Sequence, residues 1–304
     1  MKKYHVILFF ALTTSMSAQT FQITSPDGNI RMTINYEKDL FYSVDYKGKT
    51  LIGSSPLGFE LKGEDPMRSD MSLLKKPETS LKNEAWTPVV KNKHEKISLV
   101  WNEAVLSFLE NNSDRRRIDI FIRVYDNGVA FSYSLYGARK LGDRQIIREL
   151  TGFSLPESSS AWVTEPKPEY RSSQESEFIK KSIKEVKPAT VAGLPFLVEV
   201  DKQNYIAITE ANIDNYPGFY IGSTNNNVPG QVVLTTKLSP LPEEDESGVK
   251  ARFSDKIQTP WRVIMIGDHP GKFIESEIIH GLNPPCAISD PSWIKPGTLA
   301  FSTF

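Results

Sequence analysis

Apolar side chains recur at every second position along much of the chain, the pattern of strands with one buried face. Ile30, Met32, Ile34 and Tyr36 share a face, and Phe41–Tyr46 follows before a Lys47-Gly48 turn. The clearest unit is Arg117–Tyr125, where Ile118, Ile120, Ile122 and Val124 line one side. Asp126-Asn127-Gly128 then predicts a turn, because Asn and Gly tolerate positive φ. Val129, Phe131, Tyr133 and Leu135 give the return strand its apolar face, completing a hairpin. Further strands are expected at 96–101, 194–200, 205–210, 231–236 and 261–266. One helix is expected over 268–281, where Asp268 can cap, Phe273, Ile274, Ile278 and Ile279 stand at helical spacing, and Gly281 can end the run. Many short strands with one or two short helices predict an all-β fold, a large antiparallel sandwich. No repeat of 20 to 50 residues recurs, which argues against a propeller or solenoid.

The first eighteen residues break this pattern. Met1-Lys2-Lys3 is basic, 6–12 (VILFFAL) is apolar, and 13–18 is small and polar. That is the layout of a signal peptide over residues 1–18, cleaved after Ser17 or Ala18, and it is too short to span a bilayer. No cysteine lies at the boundary, so no lipid attachment is expected there, and the mature chain should be periplasmic or secreted. No later apolar run reaches the ~18 residues of a membrane helix.

Composition adds mainly exclusions. In 304 residues, 36 Lys+Arg stand against 37 Asp+Glu, so nothing electrostatic favours nucleic acid or an anionic membrane surface. A hydrophobic content of 39% is too high for a disordered chain. Cys286 is alone, which excludes an internal disulfide, and its Asn283-Pro284-Pro285 context reads as a small buried apolar group. There is no nucleophile elbow, zinc-protease helix, phosphate loop or dinucleotide fingerprint. His94, His269 and His280 are scattered and read as surface or capping groups. The run 243–246 (EEDE) reads as a solvated loop, because clustered like charges stay hydrated.

Two groups of carboxylates remain. Glu165, Glu169, Glu175 and Glu177 occupy a polar stretch between Trp162 and Phe178. Such a stretch can supply oxygens to calcium, which takes six to eight, or it can be exposed loop; without an EF-hand spacing the residues alone favour the loop. Glu210 ends a predicted strand before 212–216, where it either caps the next turn or points into a cleft. Trp86, Trp101, Trp162, Tyr170 and Tyr220 are candidate sugar platforms, although core packing explains such rings as readily.

Eight short stretches in series carry a resemblance. They are 25–28 (SPDG), 55–61 (SPLGFEL), 86–89 (WTPV), 123–133 (RVYDNGVAFSY), 208–213 (ITEANI), 259–263 (TPWRV), 282–285 (LNPP) and 292–297 (SWIKPG). In this order and spacing the chain resembles the N-terminal domain of glycoside hydrolase family 97 over residues 19–297. The resemblance implies a β-super-sandwich followed by a (β/α)₈ barrel, in an exported, calcium-dependent exo-α-glycosidase acting on α-linked glucosides or galactosides. It implies that the barrel carries the catalytic carboxylates, and that the sandwich packs on the barrel's active-site face and lends one glutamate to calcium. By the family's Glu-x-x-aromatic pattern after a Trp matching Trp162, that ligand is Glu175, with Glu169 as runner-up. Trp162, Tyr170 and Glu210 are the substrate-pocket candidates.

After 292–297 the family continues into the first barrel strand, whereas this sequence reads 298–304 (TLAFSTF) and stops, as in a truncated gene. Glycoside hydrolysis commonly needs two carboxyl groups about 5–9.5 Å apart across the scissile bond. One domain with one metal-ligating glutamate does not supply them, so no catalytic residue is assigned and no hydrolysis is expected from this chain alone. The leading expectation is a sandwich module that shapes the sugar pocket of an α-glycosidase. The alternatives are a freestanding carbohydrate-binding protein and a docking module for a separately encoded barrel.

Overall fold

A computed structural model describes residues 19–90, 93–137, 143–224, 228–241, 248–295 and 297. The expected signal peptide, the acidic run 243–246 and the stretch 298–304 lie outside the described residues. Among those described, 21 strands form three antiparallel sheets, joined by two short helices and one 3-10 turn. The all-β expectation is met.

A seven-stranded sheet runs in the order Thr20–Thr24, Ile30–Asn35, Phe41–Tyr46, Lys49–Pro56, Gly152–Pro156, Gln231–Leu238 and Phe219–Ser223. An eleven-stranded sheet faces it. Its main path is Ile179–Ser182, Ser160–Val163, Phe196–Asp201, Asn204–Ala211, Trp261–Gly267, Gly128–Tyr136, Arg117–Tyr125, Ile97–Glu110 and Met71–Leu73. Lys256–Gln258 joins it on Gly128–Tyr136, and Ser80–Trp86 joins it on Ile97–Glu110. A three-stranded ribbon, Ala251–Phe253, Arg144–Glu149 and Phe59–Leu61, closes one end.

The period-two pattern has its predicted outcome between the large sheets. Ile30, Met32 and Ile34 from one sheet meet Ile118, Ile120, Ile122, Phe131 and Tyr133 from the other in one continuous core. A second core lies on the outer face of the larger sheet. There Trp101, Tyr125, Ala130, Trp261, Val263 and Met265 pack under Ile278 and Leu282. Trp261–Gly267 is therefore buried at every position, which is why that segment reads as a continuous apolar run rather than an alternation.

Three local expectations are corrected. The helix over 268–281 is two helices, Gly271–Glu275 and Ile278–Leu282, with Ser276 extended between them (φ −70°, ψ 132°). Asp268 does not cap: Pro270 is the N-cap of the first, without a side-chain hydrogen bond, and Gly281 lies inside the second. Cys286 is exposed, not a buried apolar group. The turn after Tyr125 joins paired Tyr125 and Gly128, yet neither Asn127 nor Gly128 takes a positive φ. By contrast Lys47 and Gly48 do, at φ 49° and 79°, as a tight hairpin turn demands.

Gly128 is required by crowding rather than by dihedral freedom. A Cβ there would stand 2.6 Å from the Ile264 carbonyl oxygen, a backbone atom that cannot step aside alone. Gly128→Ala should therefore separate two central strands and lower unfolding stability by about 1–3 kcal/mol, the usual cost of overpacking. Urea denaturation measures it, with Gly63→Ala, where nothing lies within 4 Å but φ is +72°, as a comparison for backbone strain alone.

Candidate functional site

The segment 164–178 leaves the strand Ser160–Val163 and returns as Ile179–Ser182, and between them it crosses to the seven-stranded sheet. Its anchors are specific. The Tyr170 ring meets Tyr220 edge-on at 5.1 Å, and Gln174 Nε2 donates to the Tyr220 hydroxyl at 2.7 Å. Tyr170 and Gln174 both hold left-handed backbone, φ 60° and 64°, which non-glycine residues adopt only where surroundings compel it. Thr164 Oγ1 donates to the Ser176 carbonyl at 3.1 Å, and the Gly193 N–H donates to the Thr164 carbonyl at 2.9 Å.

The four glutamates of this segment have different surroundings. Glu165 pairs with Lys181 at 2.6 Å, and Glu169 pairs with Lys167 at 2.6 Å. The hydrogen bond from Lys167 is the main reason the Glu169 carboxyl sits below its ordinary pKa. Glu175 is exposed, with the Ser173 hydroxyl 3.5 Å away and no paired cation among the described residues. Glu177 is exposed as well. No three of His, Cys, Asp and Glu gather into a metal-holding group among the described residues. Glu175 thus fits calcium as one hard oxygen donor, and the remaining five to seven would have to come from water or another part of the protein.

Behind the segment lies a cleft of about 470 Å³, lined by Tyr170, Lys237, Thr235, Thr236 and Glu149 among others. Burial lowers the Lys237 ammonium pKa, with Glu169 opposing that shift. Glu149 belongs to a buried ionic cluster. Arg262 forks onto it, with Nε to Oε1 at 2.8 Å and Nη2 to Oε2 at 2.6 Å. The third guanidinium nitrogen reaches Glu210 Oε2 at 2.9 Å. Arg262 and Glu149 are 0% and 1% exposed, Tyr216 donates to Glu149 Oε2 at 3.3 Å, and the Phe219 N–H donates to Glu210 Oε1 at 3.2 Å. Burial alone would depress the Arg262 pKa, but Glu149 and then Glu210 hold it above its ordinary value. Burial raises the Glu210 carboxyl, and Arg262 only partly offsets this. Glu210 therefore sits half-buried at a strand end, committed to Arg262 and to the backbone of the loop it faces.

The sequence-derived candidates do not form one constellation. Tyr170 borders the cleft whose inner wall includes Glu149, and Glu210 connects to that wall through Arg262. Trp162 pairs in register with Leu197 and Lys180 on the outer face of the larger sheet, with the Lys180 ammonium 4.7 Å from its ring centroid. Glu210 and Arg262 are register partners on the inner face, with Ile208 and Ile264. Sequence reasoning missed Arg262, Glu149 and Tyr216. The available signal was a lone arginine in the otherwise apolar run 261–266 (WRVIMI), since a cation there must be paired.

Comparison with known proteins places these elements. Residues 23–285 match the family model described as Glycosyl-hydrolase 97 N-terminal. The chain is 23% identical over 325 aligned positions to a retaining alpha-galactosidase of Bacteroides thetaiotaomicron, covering 99% of this chain and 47% of that protein. It is 25% identical to a probable retaining alpha-galactosidase of Streptomyces bingchenggensis, covering 85% of this chain and 36% of that one. A glycoside hydrolase family 97 enzyme from Pseudoalteromonas sp. strain K8, solved in complex with acarbose, superposes with TM-score 0.79 at 26% identity, covering 91% of this chain and 40% of that chain. The chain thus spans less than half the length of the relatives it matches.

The cluster predicts a marked pH signature. Arg262→Met leaves Glu149 and Glu210 without their cation and should cost about 3–5 kcal/mol near neutral pH, the penalty for half of a buried ion pair. Without the guanidinium, the raised Glu210 pKa climbs further. The folded variant then binds protons more tightly than the unfolded chain, so its stability falls as pH rises through and above the ordinary carboxyl range. Denaturation of both proteins at about pH 5 and about pH 7.5 should show the deficit shrinking at the lower pH; an equal deficit at both would sink this account of the cluster.

Proposed function

This chain belongs to glycoside hydrolase family 97 through its N-terminal domain, and from that membership we propose that it is the non-hydrolytic sandwich module of an exported α-glycosidase. In this reading it packs against a (β/α)₈ barrel, forms part of the pocket for an α-linked glucoside or galactoside, and lends one carboxylate to calcium. Export would rest on the segment 1–18 as a cleaved signal peptide. The observation that carries the reading is the segment 164–178 itself. Its Tyr170 and Gln174 side chains are held by Tyr220, while the Glu175 carboxylate is left exposed with no paired cation among the described residues, so a hard oxygen donor is presented outward from a braced loop. Glu169 is the poorer choice, because Lys167 already neutralises it.

Chemically, the module's part is placement. One carboxylate plus water makes a weak calcium site, so useful affinity would require oxygens from the barrel. A calcium ion held there would supply Lewis-acid polarisation. Glu175 would hold one coordination position, while Tyr170 borders the cleft as an apolar wall with a polar tip. A second reading, sugar binding by the chain alone, draws on that same Tyr170–Tyr220 pair, of which Tyr170 lines the cleft.

Two measurements test the proposal. Purified chain should release no nitrophenol from p-nitrophenyl α-galactoside or α-glucoside above the uncatalysed rate; turnover that survives repurification would overturn the non-hydrolytic assignment. Calcium titration calorimetry should give a dissociation constant of about 10⁻⁴ M or weaker, lost in Glu175→Gln and kept in Glu169→Gln. Tight binding, or binding indifferent to Glu175, would remove the role given to that residue.

A further inference from the structure

The eleven-stranded sheet is left open at one edge. The strand Ser80–Trp86 pairs with Ile97–Glu110 along its whole length, from Ser80 opposite Glu103 to Trp86 opposite Ile97. No other strand or loop backbone pairs with it among the described residues. Six of its seven residues are exposed, so the backbone groups on its outer side face solvent. An edge of this kind is a template for one more strand, and chains limit it through the side chains they place there.

Alternation divides those side chains between the two faces of the sheet. Lys82, Glu84 and Trp86 stand opposite Trp101, Leu99 and Ile97 of the outer core and share its face. Leu81, Asn83 and Ala85 take the inner face, opposite Asn102, Val100 and Ser98. At this corner the seven-stranded sheet gives little cover. Asn102 Nδ2 donates to the Thr24 carbonyl of its edge strand at 2.9 Å, yet Leu81 and Val100 stay 63% and 41% exposed.

We propose that Ser80–Trp86 is a homodimer edge, pairing antiparallel with the same strand of a second copy about a two-fold axis at Asn83. A closed two-fold contact joins one patch to itself, and residues opposite each other in an antiparallel pair share a face. With Asn83 opposite the partner subunit's Asn83, Lys82 stands opposite the partner subunit's Glu84, and Leu81 opposite the partner subunit's Ala85. Each contact occurs twice, so two opposite-charge pairs form on the outer face and each exposed leucine gains an apolar neighbour on the inner one. The same charges reject the neighbouring registers. Centring the axis on Lys82 opposes lysine to lysine, and centring it on Glu84 opposes glutamate to glutamate. Charges that guard a lone edge thus select one partner strand and one alignment. Lys82 approaches Glu103 of its own chain at 3.6 Å, with both side chains partly exposed, a loose contact that leaves the ammonium able to reach across the axis. The pairing is independent of the role given to the acidic segment, which returns as Ile179–Ser182 at the opposite edge of the same sheet.

Sedimentation equilibrium tests the proposal. A contact one strand wide falls among small, weak interfaces, so loading should span roughly 10–500 μM, over which the parent should pass from monomer toward dimer. Lys82→Glu and Glu84→Lys each turn both opposite-charge pairs into like-charge pairs and should raise the dimer dissociation constant about tenfold or more. Both positions are exposed, so the fold is kept. An equimolar mixture of the two variants should recover association, because every carboxylate of one then faces an ammonium of the other. Lys202→Glu, an equal change of charge at an exposed turn remote from the edge, should behave as the parent. A parent that stays monomeric, a dimer indifferent to Lys82→Glu, a mixture that stays monomeric, or an equal loss in Lys202→Glu would each overturn the proposal.

Discussion

Three sheets meet at one guanidinium. Arg262 and Glu210 come from the eleven-stranded sheet, and Glu149 comes from the end ribbon. The seven-stranded sheet attaches through Thr236, whose hydroxyl donates to the Glu149 carbonyl, and through the Phe219 N–H on Glu210. Burying a lone cation costs far more than a domain's net stability allows, so these partners are obligatory rather than decorative. Phe219 lies beneath the guanidinium at 4.6 Å and keeps water from the cluster. The loop 212–218, the cleft wall at Glu149 and the edge strand that holds the acidic segment all take their positions from this junction.

The fold was largely legible because burial here is one-sided. Where a strand buries one face, as in Ile30–Asn35 or Arg117–Tyr125, the alternation of side chains states its structure outright. The helical spacing of Phe273, Ile274, Ile278 and Ile279 misled because two short helices on the same side reproduce it. The run breaks at Ser276, which is extended, and the next residue, Glu277, caps the second helix while its carboxylate meets His94, a partner 183 residues away that no local pattern reports. The same limit applies to Glu149 and Arg262, which are 113 residues apart. Tyr170 and Glu210 could be singled out as candidates by residue type and position, but their connection through Arg262 and Glu149 exists only in three dimensions. Cys286 was misjudged because composition says nothing about which side of a Pro-Pro bend faces water.

The double burial of Trp261–Gly267 also organises the molecule. With a core on each side, this strand cannot slip by one residue without exchanging Ile264 for Val263 across the sheet and driving Arg262 into the outer, apolar core. The outer core in turn depends on the two C-terminal helices, which cover what would otherwise be an exposed sheet face. Residues close to the end of the matched family segment therefore act on the centre of the sandwich, not on its margin.

The grip of Tyr220 on Tyr170 and Gln174 has a consequence for the order of folding. The acidic segment spans two strands of one sheet, but its shape is dictated by a strand of the other sheet some 46 residues later in sequence. The hairpins Arg117–Tyr125 with Gly128–Tyr136, and Phe219–Ser223 with Gln231–Leu238, close short loops and can form early. The acidic segment must wait until both sheets have met. It is therefore a late-forming element, and it should be among the first to loosen when the sheets begin to part.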